Sequence, residues 1–204
     1  MTRKTLWSLI AAAVFPAVIG PAVHAAGDAE AGKKKFYTCV GCHGIPGYSN
    51  AFPTYAVPKL GGQHAEYVVG ALKAYQNGSR VHRSMQGNVA GLSEQNFQDI
   101  AAYVSKFPLG DEENTVTGNA AAGKGKAQTC GSCHGEAGNG EDPNNPRLAR
   151  QYESYLAKVL ADYKSGARKN AIMKGMVEPL SAEDIKDIAA YYASQKKGLT
   201  IIQE

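Results

Sequence analysis

Thr38-Cys39-Val40-Gly41-Cys42-His43-Gly44 and Thr129-Cys130-Gly131-Ser132-Cys133-His134-Gly135 carry the same Cys-x-x-Cys-His pentapeptide, 91 positions apart. Upstream, Gly27-Asp28-Ala29-Glu30-Ala31-Gly32-Lys33 matches Gly118-Asn119-Ala120-Ala121-Ala122-Gly123-Lys124 at the same spacing. Downstream the spacing becomes 88. Pro58-Lys59-Leu60 then matches Pro146-Arg147-Leu148, the turn Tyr75 to Arg80 matches Tyr163 to Arg168, and Leu92-Ser93 matches Leu180-Ser181. Three residues therefore separate the copies, all between Gly44 and Pro58. A unit this long is a whole domain written twice; solenoid repeats are shorter and need more copies.

The chain has 204 residues, 44% hydrophobic and 20% charged, which suits two folded domains and excludes a disordered or collagen-like chain. Its formal charge of +4 is too mild for a nucleic-acid binder, and no stripe of Lys and Arg tracks a phosphate backbone. Thr2-Arg3-Lys4, an apolar run from Leu6 to Ile19 and the small-residue site Val23-His24-Ala25 read as a secretory signal over residues 1–25, cleaved near Ala25. At about 14 residues the apolar run is short of the roughly 20 a spanning helix needs, so an uncleaved anchor is the weaker reading. Export would place the four cysteines where disulfides persist.

Helical periodicity predicts an all-α chain with about three main helices per copy. The first runs from about Ala29 to Thr38 and ends at the first cysteine. The second, about Gln63 to Gln76, carries an apolar stripe at Tyr67, Val68, Ala71, Leu72 and Tyr75. The third begins at Ser93 as N-cap, and Ser181 repeats that layout. Strand-like alternation is absent. Pro108, Gly110 and an acidic cluster mark the junction, giving a first domain over 26–110, a linker over 111–117 and a second domain over 118–204. Each lobe has few apolar residues to bury, a shortage that a staple or a buried cofactor usually makes good.

In Cys-x-x-Cys-His two thiols three positions apart can add to the two vinyl groups of a haem, and the adjacent histidine ligates the iron. Cys39, Cys42, Cys130 and Cys133 are therefore the attachment residues of two covalent haems, with His43 and His134 as proximal ligands. A redox dithiol, a structural disulfide and a zinc site each explain less. The dithiol needs no adjacent histidine, and zinc wants its ligands spread in pairs.

The second copy has no histidine besides His134, so its sixth ligand is Met173, Met176 or nothing. In the first copy Met85 is the only methionine after the motif, and at the spacing of 88 it falls on Met173 while Met176 falls on Asn88. Met85 and Met173 are thus the distal candidates, against the alternative of gap-filling core methionines. Met176 reads as core or pocket wall. A thioether stabilises the ferrous state, and closing both axial positions leaves no place for a substrate.

His64 and His82 match Tyr152 and Asn170, so both read as surface or supporting residues outside the repeated machinery. Arg80 and Arg168 are candidates to grip a haem propionate, against solvated turn arginines. The Pro58 and Pro146 carbonyls are the expected acceptors for the proximal histidines.

These residues together, Cys-x-x-Cys-His-Gly, Pro-x-Leu, the Tyr-x-x-Gly-x-Arg turn, a Met, and Leu-Ser before Ala-Ala-Tyr, resemble the dihaem cytochrome c4 family of class I c-type cytochromes over nearly the whole exported chain. The resemblance implies two tandem class I cytochrome c domains with two covalently bound haem c groups, related by an approximate twofold axis. It also implies a bacterial periplasmic electron carrier, with respiratory donors and a terminal oxidase as redox partners and room for peripheral membrane association. Carried over, the thioether residues are Cys39, Cys42, Cys130 and Cys133, and the axial ligands His43, Met85, His134 and Met173. A dihaem subunit of a partner dehydrogenase, such as a flavin-dependent sulfide dehydrogenase, is the alternative. A dihaem peroxidase or thiosulfate-oxidising enzyme would need an open or weaker axial position, and no nucleophile and base pair stands out.

The first-copy loop Ile45 to Val57 is longer and more apolar than Glu136 to Pro146. Phe52 and Tyr55 are therefore expected to shield one haem edge or form an apolar docking patch, so that the two potentials differ. Net charge does not distinguish the two halves: residues 26–112 hold 8 basic and 7 acidic side chains and residues 113–204 hold 12 and 11, so each half sits at +1.

Overall fold

The computed structural model describes residues 27–203; the expected signal segment lies outside them. Its elements are α1 (Ala29–His43), β1 (Ser49–Ala51), β2 (Thr54–Ala56), α2 (Ala65–Gln76), α3 (Arg83–Val89), α4 (Glu94–Ser105), α5 (Ala120–Lys126), α6 (Gly131–His134), α7 (Glu153–Ser165), α8 (Ala171–Val177) and α9 (Ala182–Ala193). Among the described residues no helix is long and apolar enough to cross a membrane.

In each lobe the first and last helices cross in contact, and a glycine permits it. A Cβ on Gly32 would stand 1.9 Å from the Asp99 carbonyl oxygen, and one on Gly123 2.0 Å from that of Asp187. The side chains of the same aspartates lock the crossing. Asp99 accepts from the Asp28 N–H and from Lys35 Nζ, both at 3.0 Å; Asp187 accepts from the Asn119 N–H at 3.0 Å and from Lys126 Nζ at 2.7 Å. Burial alone would raise the Asp99 carboxyl, but the bonds from Asp28, Gln95 and Lys35 outweigh it and hold it low. Ser93 with Asn96 and Ser181 with Asp184 form capping boxes that start α4 and α9, as the serines predict.

Three local expectations change. The first helix does not stop at Thr38: α1 continues through Cys39, Gly41 and Cys42 to His43 and ends at Gly44. In the second lobe the helix does break, at 127–130, where Gly125 and Gly131 replace Lys34 and Val40 of the first. Each glycine weakens a helix by about 1 kcal/mol relative to alanine. The loop Ile45 to Val57 holds a hairpin, with Ser49 opposite Ala56 and Ala51 opposite Thr54. Strands of three residues are too short to display alternation.

Phe36, Val68, Phe97, Ile100 and Val104 form the first core; Leu156, Ile188, Tyr192 and Ala193 form the second. The chain then exchanges its ends. Gly110 and Gly198, counterparts at the spacing of 88, pair with each other as an antiparallel bridge, and Thr200 pairs with Gly61. Beyond that bridge Ile202, fully buried, enters the core of the first lobe.

Candidate metal centres

His43 closes α1 and His134 closes α6, and both are buried. The His43 Nδ1 donates to the Pro58 carbonyl at 2.9 Å, and the His134 Nδ1 to the Pro146 carbonyl at 2.9 Å, as the sequence predicts. Each bond fixes the tautomer and leaves Nε2 to ligate a metal. Burial pushes both imidazoles below their ordinary pKa, against the effect of the proline carbonyls, so they are neutral at pH 7. None of the four cysteines is joined in a disulfide. Cys39 and Cys130 pack against the two cores, whereas Cys42 and Cys133 are exposed. Among the described residues no three His, Cys, Asp or Glu side chains cluster as a metal cage.

Met85 and Met173 sit in the seven-residue helices α3 and α8, which the sequence reading missed because so short a helix shows no period. Both are half-buried, and Met85 packs against the first core with Cys39. The backbone N–H of Met85 donates to His82 Nδ1 at 3.3 Å, and that of Met173 to Asn170 Oδ1 at 2.9 Å. His82 is therefore part of the repeated machinery after all. It and Asn170 are equivalent N-caps, and only a comparison of hydrogen-bonding capacity could have matched them. Met176 is exposed at 38%, not core, because Val177 takes the buried position of α8.

His64 also has a counterpart role. Its Nε2 donates to the Gly140 carbonyl of the other lobe at 2.8 Å, while the Tyr152 hydroxyl accepts from the Gly47 N–H at 3.0 Å. Arg80 and Arg168 reach across as well. Arg80 donates to the Tyr155 hydroxyl at 2.6 Å and stacks over Tyr75; Arg168 donates to the Tyr67 hydroxyl at 3.1 Å and stacks over Tyr163. Their observed partners are phenols at the lobe interface. Burial pushes the Tyr67 phenol up, but the guanidiniums of Arg80 and Arg168 outweigh it and bring it to about 8. Such reciprocal contacts between counterparts are the mark of a twofold relation. Tyr55 joins the seam, 6.5 Å from the Tyr155 ring. Phe52 is 97% exposed at the hairpin tip.

The donor set fits haem c. Each lobe offers two unpaired thiols and a neutral histidine with one ring nitrogen committed, and the apolar Ile45, Val81 and Ile172 stand exposed beside the segments that bear His43, Met85 and Met173.

A family model described as Cytochrome c matches residues 29–107 and again residues 120–196. Cytochrome c4 of Stutzerimonas stutzeri is 50% identical over 90 residues, 40% of this chain, and the match spans 43% of that relative's length. The thiosulfate dehydrogenase electron acceptor of Stutzerimonas stutzeri (strain A1501) is 29% identical over 170 residues, 76% of this chain and 78% of that one. Among solved structures, reduced recombinant cytochrome c4 from Pseudomonas stutzeri superposes with a TM-score of 0.69 at 32% identity, covering 83% of this chain and 100% of that one. Each matched segment holds one Cys-x-x-Cys-His site, Cys39 with Cys42 and Cys130 with Cys133, which implies two covalent haem c groups. The chain belongs to the cytochrome c family and, within it, to the dihaem cytochromes c4.

Proposed function

We propose that this protein is a periplasmic electron carrier whose two haems pass single electrons from a respiratory donor to a terminal oxidase or similar acceptor. A bound haem c supplies a one-electron ferric/ferrous couple, and the protein's part is to hold and tune it. In this reading Cys39, Cys42, Cys130 and Cys133 form the thioethers. His43 and Met85 would hold the iron of one lobe, His134 and Met173 that of the other. The domains span 26–110 and 118–204 with a linker over 111–117, and residues 1–25 direct export.

The observation that supports this reading is that each lobe carries both a carbonyl-anchored histidine and a methionine on a capped seven-residue helix. Two protein ligands on one iron would leave no position for a substrate, which would favour electron transfer over substrate activation. The test is to mix the reduced protein with oxidase-containing membranes: oxidation at a rate that saturates with membrane concentration supports the shuttle. A reduced protein that stays reduced contradicts it.

The likeness to a thiosulfate dehydrogenase electron acceptor supports a second reading, in which the chain relays electrons from one dehydrogenase. Copurification with such an enzyme and reduction by it in the presence of thiosulfate would favour that reading.

A further inference from the structure

One peptide group in each lobe is bonded on both of its sides. The Pro58 carbonyl accepts from His43 Nδ1 at 2.9 Å, and the N–H of that same peptide, carried by Lys59, donates to Gln151 Oε1 at 2.9 Å. Gln151 belongs to the other lobe. In mirror fashion the Pro146 carbonyl accepts from His134 Nδ1 at 2.9 Å, and the Arg147 N–H donates to Gln63 Oε1 at 2.9 Å. Each glutamine also grips the next carbonyl: Gln151 Nε2 donates to Lys59 O at 3.0 Å, and Gln63 Nε2 to Arg147 O at 3.1 Å. Both side chains are only 4% exposed. Each oxygen takes a second bond from the backbone N–H of its own helix start, His64 or Tyr152, at 3.0 Å, which fixes the amide in place.

We infer that Gln63 and Gln151 are crossed positioning residues, each setting the hydrogen-bond strength of the proximal histidine in the opposite lobe. The inference rests on His43 and His134 being the iron ligands.

An amide is conjugated, so a hydrogen bond accepted from its N–H moves electron density onto its carbonyl oxygen. That oxygen then draws harder on the histidine Nδ1 proton, and the imidazole becomes a stronger donor through Nε2. A stronger donor favours ferric iron and lowers the potential. Burial of both glutamines in a medium of low dielectric constant enlarges the effect. The contact between the lobes therefore does more than hold them together: it sets part of the affinity of each lobe for its electron. A purely structural glutamine would disturb the lobe that contains it, or both lobes alike.

The experiment uses the full-length, haem-loaded protein. Met85→His and Met173→His first assign the two redox waves, since each lowers one of them. Gln151→Met keeps the side-chain length but removes the acceptor. It is expected to raise the wave of the first lobe by about three- to tenfold in the redox equilibrium constant, about 30 to 60 mV for one electron, and to leave the other wave in place. Gln63→Met is expected to do the reverse. Gln151→Glu in acid, where the protonated carboxyl offers the same acceptor and donor, is expected to restore the wild-type wave; this variant carries the test if Gln151→Met loses haem. A shift confined to the mutated lobe, equal shifts in both waves, or no shift overturns the inference and leaves the ligand assignment standing. If the two methionine variants move neither wave, both fall.

Discussion

The first lobe carries α1 unbroken to His43, caps its methionine helix with a histidine, extends a hairpin tipped by Phe52 and receives Ile202 from the far end of the chain. The second lobe breaks its first helix at 127–130 and caps its methionine helix with Asn170. It fills the place of the hairpin with a polar loop, in which Asp142 accepts from the Asn144 N–H at 2.9 Å and from Asn145 Nδ2 at 3.0 Å. What stays the same is the bonding around each histidine and each methionine backbone N–H. What differs is the cover. If His43 with Met85 and His134 with Met173 hold the two irons as proposed, the ligand fields would be equal and a difference in potential would come from the surroundings.

The largest effect expected breaks the symmetry at the iron. Met85→His lowers one redox wave by a few tenths of a volt, within the about 0.8 V over which axial ligands set haem potentials, and Met173→His lowers the other. Each variant should also lose half of the ferric charge-transfer absorption of a His/Met haem. Loss of all or none of that band in one variant would show unequal ligation.

Next comes the exchanged chain end. Ile202→Ala removes a fully buried side chain from the first core, and its counterpart Asn114 is polar, so the cost of about 2–5 kcal/mol falls on one lobe. Denaturant unfolding followed at a haem band of each lobe checks this: the first lobe should unfold earlier and the second hold its midpoint.

A smaller effect tests the helix crossing that both lobes share, read in the first lobe by pH. Because the folded Asp99 carboxyl is held below its ordinary value, its bonds stabilise the first lobe above pH of about 4 and are lost as pH falls through the folded value. Asp99→Asn should therefore lower stability at neutral pH and flatten the acid limb of a pH-dependent unfolding curve. An acid limb unchanged by the substitution would contradict the assignment.

The smallest effect is the exchange of caps. His82→Asn gives the first lobe the second lobe's cap, and the Asn side chain accepts the same N–H, so stability should change by less than about 0.5 kcal/mol. A shift of the first lobe's redox wave toward the second would show that the cap tunes the methionine; no shift would assign the difference to the loops.

The correspondence between the lobes was legible in the sequence because the duplication supplies its own alignment. Cys39, His43, Pro58, Met85 and Ser93 each find a counterpart at a fixed spacing, and the two histidine to proline bonds have the expected partners. The residues that join the lobes were not legible. Gln63 and Gln151, Arg80 with Tyr155, and Arg168 with Tyr67 pair over 75 to 101 positions, and no local period reports a contact that skips a domain. The hairpin and the His82 and Asn170 caps escaped for the opposite reason. They are so short that turn chemistry, rather than periodicity, decides them.

The central claim is one covalent haem in each lobe, held between an imidazole and a thioether. A pyridine haemochrome assay on the purified full-length protein, read with its ferric spectrum and a redox titration, tests it directly. The account predicts two haems per chain, the charge-transfer band of His/Met ligation and two waves at positive potentials. A colourless chain, a single haem, or two haems without that band would contradict it.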